Sequence, residues 1–286
     1  MPAAVLEAFA PAKLNLYLHV APPSADGFHP LSSLMVFADV GDRLRLEPVD
    51  AVAFAVEGPF GHLTPMDEGN LVVRAARAVW PVGHSGRLVL DKQPPIAAGL
   101  GGGSADAGAA FRLLREAFDL PLDDAALEAE ASALGSDGAA CLWARPVIAE
   151  GRGERLSPAP QLPPLAAVLV NPGAPSPTGA VYRAYDVAPR DDRRPETPAA
   201  FTSVAEVVAW LAGTRNDLEA PAVGLTPVIG ETLAVLAAEP EALFVRMSGS
   251  GATCFALCED RPAAERLADR LAEAHPAWWV RAARLG

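Results

Sequence analysis

The chain reads as an α+β protein of two domains, and three observations predict this. Residues 13–20 alternate strictly between polar and apolar, the period of a strand with one buried face. Ala107, Ala110, Phe111, Leu114 and Phe118 recur at helical spacing directly behind a glycine-rich run. A Pro-rich stretch at 157–164 then divides this mixed pattern from a second one. It predicts a junction between an N-terminal domain, 1–156, and a C-terminal domain, 165–286.

In chain order, the first strand spans 13–20, with Lys13, Asn15, Tyr17 and His19 on the face opposite the apolar one. Residues 39–48 and 51–56 read as further strands. Residues 70–80 read as a helix with Leu71, Ala75 and Val79 on one side. A short strand at 86–91 leads into the glycine run. The helix behind that run is followed by another that starts at Asp123, a residue suited to cap first-turn N–H groups. That helix stops at Gly135, which readily takes the conformation that ends a helix. Residues 135–138 form a turn and 146–150 a strand. Past the junction, 165–170 is a buried strand, and 186–197 is a polar, Pro-containing loop. Helices at 203–211 and 227–237, strands at 242–246 and 253–258, a helix at 263–274 and a strand at 278–284 follow. That β…αββαβ order predicts an antiparallel sheet with helices on one side.

The 286 residues are 51% hydrophobic and 20% charged, ample apolar material for a core. With 23 basic against 35 acidic residues, the formal net charge is -12. That balance speaks against nucleic acid or an anionic membrane as a partner, so an anionic ligand must be held by local donors. Cys141, Cys254 and Cys258 are odd in number and lie in apolar segments, as expected of reduced core residues in a cytoplasmic protein. No Cys/His spacing marks a zinc site, and no apolar run approaches the roughly 20 residues of a membrane span. The first residues show no secretory signal pattern.

The glycine run itself is Gly99-Leu-Gly101-Gly102-Gly103-Ser104. Glycines let backbone N–H groups crowd around a ligand, and the helix behind them presents its positive end and unpaired N–H groups to the same place. The combination is an anion site suited to nucleotide phosphate. It is not a Walker A loop, because no lysine follows, nor a dinucleotide fingerprint, because Ser104 stands where the third glycine belongs.

Two other segments complete a pattern. Pro11-Ala-Lys13-Leu-Asn15, the glycine run and Ser248-Gly-Ser-Gly251 resemble, in order and spacing, the three motifs of the GHMP small-molecule kinases. Asp26-Gly-Phe-His29, Asn70-Leu-Val-Val-Arg-Ala-Ala76, Gly135-Ser-Asp137, Asn171-Pro-Gly173 and Asn216-Asp-Leu218 extend the resemblance. They match the branch of that family that phosphorylates a cytidine diphosphate derivative in the non-mevalonate isoprenoid pathway. The resemblance implies an N-terminal ATP-binding domain, a C-terminal ferredoxin-like α/β domain with an antiparallel sheet, and ATP with Mg²⁺ as cofactors. It implies catalytic roles for Lys13 and Asp137. It places Gly99, Gly101, Gly102, Gly103 and Ser104 at the ATP phosphates, and Asn70 and Lys92 near the adenine and ribose. On the substrate side it implies Phe28 and Tyr182 around a cytosine ring, His29 at the cytosine edge and Asn15 near the reacting alcohol. The family usually has tyrosine where this chain has Phe28.

Without the resemblance, the same residues have plainer readings. Lys13 would be a solvent-facing strand residue, Asp137 a turn or cap residue, Asn70 a helix cap, Lys92 a surface lysine and Phe28 a core aromatic. Two other functions also stay open. One is a GHMP kinase of the homoserine or mevalonate type, against which Asp26-Gly-Phe-His29 and Tyr182 speak. The other is a non-catalytic nucleotide-binding protein on the same fold, against which the presence of both Lys13 and Asp137 speaks. Metal ligands and oligomeric state are not legible, since no cluster of acidic residues marks a cation cage.

Overall fold

The computed structural model describes residues 4–191 and 194–286. Its contacts group them into two compact units. One holds Lys13 and the described residues before it, Val40–Ile96 and Gly101–Ala144; the other holds Leu14–Asp39, Ala97–Leu100 and Arg145–Gly286. A single cut at the Pro-rich stretch does not separate these units, and strand pairing explains why. Strand β1 (Leu6–Val20) and strand β2 (Leu31–Glu47) are long enough to serve both. Residues 31–35 of β2 pair with β5 (Val147–Gly151), whereas residues 43–47 pair with β4 (Gly86–Asp91).

In the first unit, β3 (Val52–Glu57) lies parallel to β4, which is antiparallel to the end of β2. The β3-to-β4 connection runs through helix α1 (Leu71–Val79), as a parallel pair requires. Helices α2 (Gly102–Phe118), α3 (Asp124–Leu134) and α4 (Gly138–Trp143) follow, with α1 packed on α2 and both α2 and α3 packed on α4. Leu44, Leu46, Leu88, Leu90, Val72, Phe111, Leu114 and Leu127 are fully buried here. The α3 boundaries match expectation: the Asp123 side chain accepts from the Ala126 N–H at 2.8 Å, and Gly135 ends the helix. Helix α4 is absent from the sequence expectations, because six residues are too few to show a helical period. At its start, a Cβ on Gly138 would lie 1.9 Å from the Ala131 carbonyl oxygen, so only glycine lets α4 sit this close to α3.

In the second unit, β7 (Leu165–Asn171), β8 (Phe244–Met247), β9 (Cys254–Cys258) and β10 (Trp279–Leu285) join β2 in the order β2-β10-β7-β9-β8. Every pairing along that path is antiparallel, as the element order predicts. Helices α5 (Thr178–Tyr185), α7 (Glu219–Leu225), α8 (Val228–Ala237) and α9 (Arg261–Ala274) share one core with Ala166, Val168 and Val170 of β7 and Cys254, Ala256 and Cys258 of β9. Helix α6 (Val204–Ala212) lies in the same unit. All three cysteines are free and buried. Among the described residues no helix is long and apolar enough to cross a membrane.

Three sequence expectations change. The β1 strand starts at Leu6 and is buried on both faces, because Lys13, Asn15, Tyr17 and His19 find polar partners inside the protein. Strand β2 starts at Leu31, eight residues before the expected 39, since its first half is almost continuously buried and shows no alternation. The Pro-rich stretch is partly strand: β6 (Arg155–Pro158) pairs with β5 alone, an edge position that tolerates proline. Within the loop expected at 186–197, residues 192 and 193 lie outside the described residues.

Candidate active site

The first unit brings Lys13, Asp137 and Gly101 together. Lys13 is buried, and its Nζ lies 3.0 Å from Asp137 Oδ2, with the Asp137 side chain 24% exposed. Asp137 occupies the cap position of α4, yet its side chain makes no capping hydrogen bond. The carboxylate faces Lys13 instead, which decides between a capping residue and a paired one. Gly101 caps α2 in the left-handed conformation, φ +62°, and a Cβ there would stand 3.0 Å from Lys13 Cε. The absence of a side chain at 101 is therefore what lets the lysine pass. The first N–H groups of α2, at Gly102, Gly103 and Ser104, are those a helix leaves without an internal acceptor.

Behind these groups stands Lys92. It is buried, not a surface lysine, and its Nζ lies 2.5 Å from Asp42 Oδ2 and 2.7 Å from Asp106 Oδ2. Burial opposes the charge on Lys92, but Asp106 and Asp42 outweigh it and hold the ammonium pKa above its ordinary value. Burial pushes the Asp106 carboxyl well above the usual carboxylate range, against the pull of Lys92. Asn70 caps α1: its Oδ1 accepts from the Val72 N–H at 2.9 Å, and its Nδ2 donates to the Pro65 carbonyl at 2.8 Å. Leu71, next in the chain, lies 3.4 Å from where a Cβ on Gly103 would stand, so α1 starts beside the glycine run.

The second unit gathers the other predicted residues. The Asn15 N–H donates to Ser248 Oγ at 3.1 Å, and its side chain donates to Ser33 Oγ at 2.7 Å. Ser248 in turn donates to the Gly99 carbonyl at 3.0 Å. Gly99 has φ +75°, and a Cβ there would fall 2.4 Å from the Ser248 carbonyl oxygen. Backbone crowding from the 247–252 loop thus requires glycine at 99. His29 Nε2 lies 2.6 Å from Asp186 Oδ1, and its ring centroid is 4.9 Å from that of Tyr182. The Tyr185 hydroxyl donates to the Val20 carbonyl, which ties the helix carrying Tyr182 to β1. Phe28 is 51% exposed, so it is not a core aromatic. The Arg152 guanidinium lies over its ring, 3.7 Å from the centroid.

The GHMP kinases N terminal domain family matches residues 70–145, and the GHMP kinases C terminal family matches 199–277. The 4-diphosphocytidyl-2-C-methyl-D-erythritol kinase of Caulobacter sp. (strain K31) is 62% identical over 98% of this chain and 98% of its own length. The protein of the same name from Caulobacter vibrioides (strain NA1000 / CB15N) is 63% identical over 98% of this chain and 99% of its own. The chain belongs to the GHMP kinases. A crystal structure of a 4-(cytidine 5'-diphospho)-2C-methyl-D-erythritol kinase superposes on this GHMP kinase with TM-score 0.77 at 35% identity, covering 98% of this chain and 99% of that one. A homoserine kinase from Cytophaga hutchinsonii shares the fold at TM-score 0.62 and 17% identity, covering 97% of this chain and 94% of that one. GHMP kinases are ATP-dependent phosphotransferases, and this chain is one of them.

Sequence reasoning missed several residues that order the site of this GHMP kinase. Asp42 and Asp106 carried no motif, although Asp106 sits one helical turn past the glycines. Arg152 and Asp186 carried no signal at all. Asn216 appeared only as part of a signature; its Nδ2 donates at 2.8 Å to both the Met247 and Gly249 carbonyls and so fixes the 247–252 loop.

Proposed function

We propose that this GHMP kinase transfers the γ-phosphoryl group of ATP to the 2-hydroxyl of 4-diphosphocytidyl-2-C-methyl-D-erythritol. The observation that carries the chemistry is the Lys13–Asp137 contact of 3.0 Å at the foot of Gly101. Phosphoryl transfer depends on positioning and charge stabilisation. Asp137 accepts the proton of the substrate hydroxyl as the oxygen attacks the γ-phosphorus and the bond to ADP breaks. The Lys13 ammonium faces the negative charge on the transferred group. The backbone at Gly101, Gly102, Gly103 and Ser104 binds the phosphates: Gly103 is exposed and the other three are half-buried, so the run is open to a ligand at the start of α2. Asn70 lies on the adenosine side, whereas Lys92, expected there too, is buried behind Gly102 between Asp42 and Asp106 and acts through the glycine run. Among the described residues no group of three or more His, Cys, Asp or Glu could hold a metal ion. Mg²⁺ bound to the ATP phosphates would supply charge neutralisation beside the glycine run.

The substrate follows from the shared name of the relatives and from the second unit. Phe28 offers an exposed ring for a base, with His29 beside it in sequence and Tyr182 in ring contact with His29 in the same unit. Asn15 lies with the alcohol. Free buried thiols at Cys141, Cys254 and Cys258 support a cytoplasmic setting.

Replacing Phe28 tests the cytidine reading. Phe28→Ala raises KM for the cytidine compound by the equivalent of roughly 1–3 kcal/mol, the worth of one base–aromatic stack. KM for ATP and the melting temperature change little, because the ring is half-exposed and the Arg152 side chain stacked on it is itself half-exposed. Phe28→Tyr retains activity. Unchanged affinity for the cytidine compound in Phe28→Ala counts against the assignment.

A further inference from the structure

We propose that Asp42 and Asp106 are positioning residues of the nucleotide site, which hold the Lys92 ammonium behind Gly102 and through it fix the first turn of α2. The inference rests on reading the glycine run as the ATP phosphate site.

The geometry is specific. Lys92 follows strand β4, Asp42 stands in strand β2 and Asp106 stands in helix α2. The ammonium therefore bridges sheet and helix, 2.5 Å from one carboxylate and 2.7 Å from the other. Its Nζ lies only 3.1 Å from where a Cβ of Gly102 would be. Asp42 also accepts the Gln93 N–H through Oδ1 at 2.6 Å, which anchors the start of the segment leading to the glycines. Asp42 thus holds both ends of this corner: the backbone that enters the loop and the lysine beneath the loop.

Stability alone does not account for the arrangement. An ammonium near the N-terminal turn of a helix gains nothing from the helix dipole, and the two carboxylates beside it serve to offset its charge there. Buried ion pairs are often matched or bettered in stability by apolar residues of similar volume. Asp106 is 2% exposed, and its Oδ1 is buried with no hydrogen-bond partner among the described residues. A carboxyl with an orphan oxygen is a poor way to fill space. It is a good way to hold a lysine from a second side. With Asp42 alone the long lysine side chain keeps the freedom to swing; with Asp106 opposite, the ammonium stays under Gly102.

Calorimetric titration with Mg·ATP, alongside thermal unfolding, tests this on the full chain. Wild type binds Mg·ATP; if it does not, the reading of the glycine run fails first, and separately. Asp106→Asn keeps the shape and one oxygen for Lys92 to donate to, whereas Asp106→Leu keeps the volume and removes the oxygen. The expected order of ATP affinity is wild type, then Asn, then Leu, whatever the order of melting temperatures. The Leu variant and Asp42→Asn lose roughly 10- to 100-fold, the fold-change that corresponds to a lost hydrogen bond to a charged group. KM for the alcohol substrate stays within about twofold, since the contact that is lost is not one made to the alcohol. A purely structural role moves the melting temperature and leaves ATP affinity of the folded protein alone. A folded Asp106→Leu that binds ATP as tightly as wild type overturns the proposal. Should that variant not fold, unchanged ATP affinity in Asp42→Asn overturns it equally.

Discussion

Asp137→Asn lowers kcat by roughly 10²–10⁴, the usual contribution of a positioned acid or base. The substitution keeps side-chain shape and removes the proton acceptor. Lys13 retains an oxygen to donate to across the present 3.0 Å contact, so the lysine is not left buried without a partner. Because the Asp137 side chain makes no capping bond to α4, the substitution breaks no helix cap. Mg·ATP affinity and melting temperature therefore stay close to wild type. The loss appears in kcat measured at saturating concentrations of both substrates. Near-wild-type turnover in Asp137→Asn rules out its role as the proton acceptor.

Gly101→Val is expected to damage both stability and activity, for separable reasons. A φ of +62° is costly for any residue with a Cβ, about 1–2 kcal/mol, and more for a branched one. The new side chain also stands 3.0 Å or less from Lys13 Cε, an overpacking of the kind that costs about 1–3 kcal/mol. Unfolding experiments should show a loss of roughly 2–5 kcal/mol. The activity loss exceeds what stability explains. A shift of the Lys13 ammonium by about 1 Å is worth on the order of 100-fold in rate. Gly83 supplies the control, since it has φ +80° and a Cβ there would meet nothing within 4 Å. Gly83→Val carries only the backbone cost and leaves kcat unchanged. Equal kcat in the folded Gly101 and Gly83 variants contradicts the place given to Lys13.

Much of this was legible from residue order because the signals are local. Asp123 and Gly135 bracket α3 through interactions within a few residues, and the glycines before α2 announce a helix start. What the sequence hid was set by partners far along the chain. The polar positions of β1 read as a solvent face because nothing near them in sequence shows that Lys13 meets Asp137, that Asn15 meets Ser33 and Ser248, or that His19 accepts from the Arg215 N–H. The short helices were hidden for a different reason. Helix α4 has too few residues to display a period, and α7 carries Pro221 and Gly224, residues that normally break a helix. The motif residues were legible as a pattern, but not the backbone crowding behind them. Gly99 is glycine because the Ser248 carbonyl presses against it, and Gly101 because Lys13 does. Asp42 and Asp106 were invisible because a buried charge cluster has no sequence spacing of its own.

Incubation of the purified protein with Mg·ATP and a panel of alcohols, followed by phosphorus NMR of the products, identifies the phosphoryl acceptor. The panel holds 4-diphosphocytidyl-2-C-methyl-D-erythritol, homoserine, mevalonate and galactose. The expected result is one new phosphomonoester signal, formed on the cytidine compound with stoichiometric ADP, and none on the other three. Phosphorylation of homoserine, mevalonate or galactose with no product on the cytidine compound would rule out the cytidine compound as the substrate.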